Sequence, residues 1–330
     1  MSEGFWQDLR GRAVRVRDVV MRDGLQSEPV FVPTGDKVAL VDALGRTGLS
    51  AIEVTSFTSA RAIPALADAD EVMRRIERVP GVVYAALVLN VRGAERALDG
   101  RVDELDLVVS ASETHNLANA RMTRRQSRDA LREVCRLAHG QARVSVSIGT
   151  AFGCPMEGPI AFADVLDIGD EFVCAGAAGI TLCDTTGMAN PAQVRAACAG
   201  LAQRWPGVEL ALHLHDTRGM GLANVLAGLD AGIAHFDASL GGLGGCPFAP
   251  GASGNICTED LVHMLEAIGC TTGVDLDALI ACAQRLPALV GHDIHGQVWR
   301  AGPATRRHPL PTDFDEIAAR ARSRGDARYG

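Results

Sequence analysis

Two histidines stand one residue apart in Leu212-His213-Leu214-His215-Asp216, at the end of an apolar run. Residues at i and i+2 of a β-strand face the same side, so both imidazoles can reach one ion from a single backbone segment. With a carboxylate from another strand the pair makes a metal site; without one, the same spacing also fits two hydrogen-bonded core histidines. The carboxylate best placed to join them is Asp23, in Met21-Arg22-Asp23-Gly24-Leu25-Gln26, although Asp before Gly is also ordinary turn chemistry. Glu53 is an acid inside the apolar run Ala51-Ile52-Glu53-Val54, and burying it unpaired is costly, so it requires a cation. Arg22 is the candidate, as a catalytic partner or as a structural salt bridge. Asp184, in Leu182-Cys183-Asp184-Thr185-Thr186-Gly187, holds an equivalent place after another apolar run. Glycine is concentrated in Gly241-Gly242-Leu243-Gly244-Gly245 and Gly251-Ala252-Ser253-Gly254-Asn255. Such a loop can move and lets its backbone approach a ligand, and Cys246 within it does not read as a packing residue.

These residues fall at regular places in a repeating pattern. Short apolar, β-branched runs lie at Val14–Val20, Ala51–Val54, Val82–Val88, Leu105–Val109, Val144–Ile148, Gly179–Leu182, Glu209–Leu214 and Ala234–Ser239. Helical patterns follow them at Gly35–Thr47, Ile63–Val79, Gly93–Leu98, Thr123–His139, Phe162–Ala175, Pro191–Arg204, Met220–Ala231 and Glu259–Ile268. Thr34, Asn190 and Thr258 supply start signals for three of them. Strand then helix, eight times over, predicts an α/β fold of the (β/α)8 TIM barrel type over residues 1–274. A C-terminal helical extension, 275–330, carries patterns at Leu276–Val290 and Phe314–Arg322 and is expected to pack on the barrel or on a second subunit. An open doubly wound sheet would need a Gly-rich phosphate turn after the first strand, where the chain has Met21-Arg22-Asp23 instead. In a barrel, chemistry sits at the carboxyl ends of the strands, which is where each polar cluster falls.

The chain has 330 residues, with 40 Asp and Glu against 32 Lys and Arg and a net charge of -8. That balance argues against nucleic acid, whose phosphates need clustered cations. No apolar run approaches the roughly 18 residues of a membrane helix. Met1–Arg12 mixes acids with arginines and has no apolar core, so it does not read as a signal or transit peptide. The nine Cys are irregularly spaced with no C-x-x-C pair, which suggests reduced thiols, and the expected location is cytoplasmic.

The ordered set Arg22–Gln26, Gly48–Phe57 (GLSAIEVTSF), Asp184–Gly187, His213–Thr217 and Gly242–Asp260 (GLGGCPFAPGASGNICTED) resembles the 3-hydroxy-3-methylglutaryl-CoA lyase family. That family lies in the metal-dependent barrel superfamily that also contains isopropylmalate synthase. The resemblance covers roughly Val14 to Val274. It implies a divalent ion, Mg2+ or Mn2+, held by Asp23, His213, His215 and Asn255, and carbon-carbon cleavage of a 3-hydroxyacyl-CoA into a ketone and acetyl-CoA. It further implies that Arg22 stabilises the developing oxyanion and that Cys246 moves protons on a closing loop. His213 is implied as a proton shuttle as well as a ligand, with Asp23 or Asp184 assisting, and Glu53 joins the catalytic candidates as the partner of Arg22. Gln26 is a candidate substrate contact. Arg61 and Arg92 are weaker candidates for the CoA nucleotide, with solvated surface charge as the other reading. The implied partners are an acyl-CoA and a second copy of the chain, as a homodimer or higher homo-oligomer, with no nucleic acid and no membrane.

The chain departs from the family pattern in two places. Asp18 and Met21 stand where a Glu and a Pro are usual. On the fifth strand, Ser145-Val146-Ser147-Ile148-Gly149-Thr150 replaces Arg-Gly-Tyr-Val-Ser-Cys, so Ser145 and Ser147 take the places of an Arg and a Tyr. The reaction type is therefore expected to hold more firmly than the substrate. A citramalyl-CoA-like thioester, or the condensing chemistry of a superfamily synthase or aldolase, is the alternative.

Overall fold

Eight parallel strands close into a barrel in sequence order, each neighbour pairing with the next and the last with the first. The computed structural model describes residues 3–245, 251 and 254–326. The strands are β1 (Arg15–Asp18), β2 (Ala51–Ser56), β3 (Val83–Val88), β4 (Glu104–Ser110), β5 (Arg143–Gly149), β6 (Gly179–Asp184), β7 (Glu209–Leu214) and β8 (His235–Ala238). Their outward-facing Val, Ile and Leu side chains pack under a ring of helices, as a parallel sheet covered on its outer face requires. This is the (β/α)8 barrel with C-terminal helices that the strand-helix alternation predicts.

Several boundaries differ from the sequence expectation, each for a local reason. β1 stops at Asp18, whose carboxylate accepts the Val20 N–H at 2.9 Å. The chain then makes a wide π-type turn over Val20–Gly24, with the Arg22, Asp23 and Gly24 N–H groups converging on the Val19 carbonyl. Arg22 and Asp23 thus sit on a turn rather than directly on a strand end. The pattern Ile63–Val79 forms a 3-10 turn, Pro64–Leu66, which Pro64 opens, and then a helix, Ala69–Arg75. The pattern Leu276–Val290 splits at Pro287 into Leu276–Ala283 and Leu286–Val290. The helices Glu3–Asp8, Glu113–Ala120 and Val298–Ala301 were not anticipated. Glu113–Ala120 has a sequence signal in its cap, Ser112, whose hydroxyl accepts the His115 N–H.

The glycine-rich segment after β8 is anchored at its base. Gly241 has φ +67 and its carbonyl accepts the His295 and Gly296 N–H groups, so the C-terminal segment docks on this residue. A few residues on, a Cβ on Gly254 would lie 2.0 Å from the Gly242 carbonyl oxygen, so the two ends of the segment between them meet at a narrow neck. The Gly241 N–H donates to the fully buried Glu259 at 3.1 Å, while Glu259 Oε1 has no hydrogen bond among the described residues.

Burial pushes the Glu259 carboxyl up to about 7, more than its hydrogen bonds pull it down. A carboxyl raised in the folded state favours folding below its unfolded value and loses that contribution as pH rises through the folded value. Glu259→Gln keeps an acceptor for Gly241 and removes the buried charge. Relative to the wild type it is expected to gain stability as pH rises from 5 to 8, because only the wild-type carboxyl ionises over that range. The gain should shrink toward pH 5, as followed by calorimetric melting temperatures.

Candidate active site

The site lies at the carboxyl ends of the strands. β7 and the bridge residue that follows it alternate Leu212, His213, Leu214 and His215, which turns both imidazoles to the interior and both leucines to the helices. His213 Nε2 and His215 Nε2 are 3.2 Å apart, and Asp23 Oδ2 lies 3.9 and 3.8 Å from them. One ligand atom from each of Asp23, His213 and His215 falls within a 4.8 Å group. Asn255 reaches the same point from the far end of the barrel sequence. Its amide Nδ2 donates to Asp23 Oδ2 at 2.6 Å and to the Leu243 and Gly244 carbonyls at 2.9 and 3.2 Å. Three acceptors around one nitrogen fix the amide's orientation and leave Oδ1 buried with no partner among the described residues.

This donor set fits a divalent cation. Two imidazole nitrogens and a carboxylate converge, with the Asn255 amide bonded to that carboxylate, and ligands of these types suit a shared divalent ion. Burial, helped by the neighbouring His213, pushes His215 down to about 3, so its lone pair is available. Burial also pulls His213 down, but the hydrogen bond with Asp237 and the charge of Asp23 outweigh it and hold the ring above the ordinary histidine value. Asp23 would be raised by burial, yet Arg22 and the two histidines hold it below the usual carboxylate range.

Arg22 is gripped from two sides. Its Nε donates to Glu53 Oε2 at 2.7 Å and its Nη1 to Asp23 Oδ1. The cation required by the buried Glu53 is therefore Arg22, as the sequence indicates. Nη2 makes no hydrogen bond to the described residues, which leaves a donor facing the cavity. That cavity, of about 520 Å³, is lined by Arg22, Asp23, Gln26, Arg61, His213 and His215 among others, with Ser147 on its wall.

Two of the expected residues stand apart. Asp184 accepts the Met188 N–H at 2.8 Å and the Ala189 N–H at 3.1 Å, holding the turn after β6, and it does not line the cavity. Arg92 is exposed on the helix Val91–Asp99, away from the cavity lining. Ser145 opens into a separate pocket at the opposite end of the barrel. Cys246 lies outside the described residues. Sequence reasoning passed over Arg17, Glu104, Asp106 and Asp237, all inside the barrel. Their signal is charge at alternate positions, as in Arg15-Val16-Arg17 inside the run Val14–Val20 and Glu104-Leu105-Asp106 at the edge of the run Leu105–Val109.

Residues 13–286 match the family model described as HMGL-like. The hydroxymethylglutaryl-CoA lyase YngG of Bacillus subtilis (strain 168) is 44% identical over 281 residues, covering 85% of this chain and 94% of that protein. The (R)-citramalyl-CoA lyase of Chloroflexus aurantiacus is 42% identical over 305 residues, covering 88% and 95%. A solved structure of an HMG-CoA lyase from Acenitobacter baumannii, in complex with coenzyme A and 3-methylmalate, superposes with a TM-score of 0.88 at 47% identity, covering 94% of this chain and all of that one.

The geometry separates ligand from bystander. Asp23→Asn and His215→Ala are expected to weaken Mn2+ binding by at least about 100-fold in isothermal titration calorimetry. Asp184→Asn should leave the affinity unchanged, because its oxygens are engaged by the turn backbone.

Proposed function

The chain belongs to the HMGL-like family, and from that premise we propose that it is a divalent-metal-dependent lyase acting on 3-hydroxy-3-methylglutaryl-CoA. The convergence of Asp23, His213 and His215 in a cavity that also presents Arg22, with the Asn255 amide bonded to Asp23, carries this reading. These four residues would hold Mg2+ or Mn2+. When bound, the ion supplies Lewis-acid stabilisation of the oxygen charge that develops during cleavage.

The chemistry is a retro-Claisen cleavage. The tertiary hydroxyl gives up its proton, its oxygen becomes the ketone of acetoacetate, and the C2–C3 electron pair passes into the thioester as an enolate. That enolate takes up a proton at carbon to give acetyl-CoA. Arg22, fixed by Glu53, turns its remaining N–H groups to the cavity and stabilises the developing oxyanion, a contribution of about 3 to 4 kcal/mol. Its rigidity matters, because a donor already oriented costs no reorganisation as the charge forms. His213 and Cys246 are the groups assigned to move protons, Cys246 from the glycine-rich loop. Gln26 contacts the acyl portion, and Arg61 at the cavity wall faces the CoA arm. Asp184 acts at one remove, by shaping the turn after β6. A cytoplasmic location and assembly as a homodimer or higher homo-oligomer complete the proposal.

One observation favours a second substrate. Ser147 stands on the cavity wall where the resemblance leads one to expect a Tyr, and a relative of similar identity is a citramalyl-CoA lyase. A shorter side chain leaves more room and a different polarity beside the acyl group, so a citramalyl-CoA-like thioester is the alternative.

A panel of 3-hydroxyacyl-CoA thioesters, assayed for acetyl-CoA release with Mg2+ or Mn2+ present, tests both readings. Hydroxymethylglutaryl-CoA is expected to have the highest kcat/KM, and EDTA to abolish release. Preference for citramalyl-CoA would move the assignment to the alternative, and release from neither would overturn it. Cys246→Ala should lower kcat by about 10²- to 10⁴-fold, the range of a lost proton-transfer group; full activity would remove the loop from the mechanism.

A further inference from the structure

Beneath the candidate metal group, the barrel interior is charged where such barrels are usually filled with Val, Ile and Leu. Arg17 on β1 is the hub. Its Nε donates to Asp237 Oδ1 at 2.8 Å and its Nη2 to Asp237 Oδ2 at 2.6 Å, a bidentate fork across the β1–β8 pair. Nη1 reaches Glu104 Oε1 at 3.3 Å, and Nη2 lies 3.7 Å from Asp106 Oδ2. Asp237 Oδ2 in turn lies 3.3 Å from Nδ1 of His213. A ligating imidazole needs its second nitrogen tied to an acceptor, because that bond sets the tautomer and the ring's aim.

The two serines of β5 complete the arrangement. The Ser147 hydroxyl bonds Asp106 at 2.9 and 3.0 Å, and the Ser145 hydroxyl donates to Glu104 Oε1 at 2.7 Å. Ser145 Oγ and Arg17 Nη1 therefore meet on the same carboxylate oxygen. An arginine at 145 would start from the spot that the Arg17 guanidinium already reaches.

We infer that Arg17 is a positioning residue for His213: its fork holds Asp237 where that carboxylate accepts the His213 Nδ1–H and leaves Nε2 free as a ligand, and it supplies from β1 a guanidinium at the level of Ser145, whereas Arg143 at the start of β5 is half-exposed and pairs with Glu104 Oε2 and Glu209. The inference rests on the ligand role of His213 given above. It also gives the small residues at 145 and 147 a reason, since bulk on β5 and Arg17 on β1 would compete for one space.

The test uses Arg17→Lys, Arg17→Leu, Asp237→Asn and the double variant Arg17→Leu/Ser145→Arg in the full chain, with melting temperatures to identify folded protein. Two readouts are taken: Mn2+ affinity by calorimetry, and imidazole 15N shifts of His213 without metal, which report the tautomer. The wild type is expected to carry its His213 proton on Nδ1. Asp237→Asn and Arg17→Lys should lose that signature and weaken Mn2+ binding by about 10- to 100-fold. Lysine keeps the charge and loses the fork, so it stays informative if Arg17→Leu fails to fold. The double variant should recover folding, tautomer and most of the affinity relative to Arg17→Leu. An unchanged tautomer and affinity in Arg17→Lys would overturn the positioning role. A double variant no better than Arg17→Leu would overturn the exchange of strands. Failure of the wild type to bind Mn2+ would count against the metal reading alone, because the tautomer is read without metal.

Discussion

A charge taken out of water has to find its opposite inside the protein, and in this barrel that requirement fixes where each polar side chain stands. Two guanidiniums enter the interior from the first strand and the turn beyond it, and the carboxylates of Asp23, Glu53, Asp106 and Asp237 are disposed around them. Guanidinium keeps its charge at any physiological pH, so the pairings do not dissolve when conditions change. The histidines inherit their geometry from this lattice. His213 leans on Asp237, and His215 faces it across the point where Asp23 and Asn255 converge. Most of the group stands on strands or on a hydrogen-bonded turn, which holds side chains more tightly than an open loop would.

The fold was legible because its signal repeats. One strand can be mistaken for part of a helix, but eight apolar runs separated by helical patterns leave little choice of architecture. What could not be read was local. Proline at 287 broke a pattern whose periodicity ran through it. The shortening of β1 depends on a carboxylate of that strand taking a backbone N–H two residues later, a choice hydrophobicity does not encode. The interior charges were visible as an alternation, yet alternation next to apolar residues also describes a half-exposed strand. Only the closure of the barrel decides that both faces are covered.

The site was legible unevenly for a related reason. His213 and His215 announce themselves by spacing within one strand, and Arg22 with Glu53 by the cost of burying an acid. Asn255 pairs with Asp23 across 232 positions and carries no local mark, so it entered through a resemblance alone. Asp184 shows the opposite case. Its place after a strand suggested chemistry, whereas its oxygens are engaged by the backbone of the following turn, a use that sequence position does not distinguish.

The neck at Gly242 and Gly254 has a bearing on how such a protein could diversify. Because the chain leaves the barrel and returns to it at one place, and a side chain on Gly254 would strike the Gly242 backbone, the stretch between them is spliced in at a fixed port. Asn255 begins after the port, and its bonds to Leu243 and Gly244 brace the port from inside. Inserts that keep the Leu243 and Gly244 carbonyls and the cysteine could differ elsewhere in length and composition while the Asn255 amide stays oriented as it is. Substrate range could then be explored in the remainder of the stretch without reopening the chemistry.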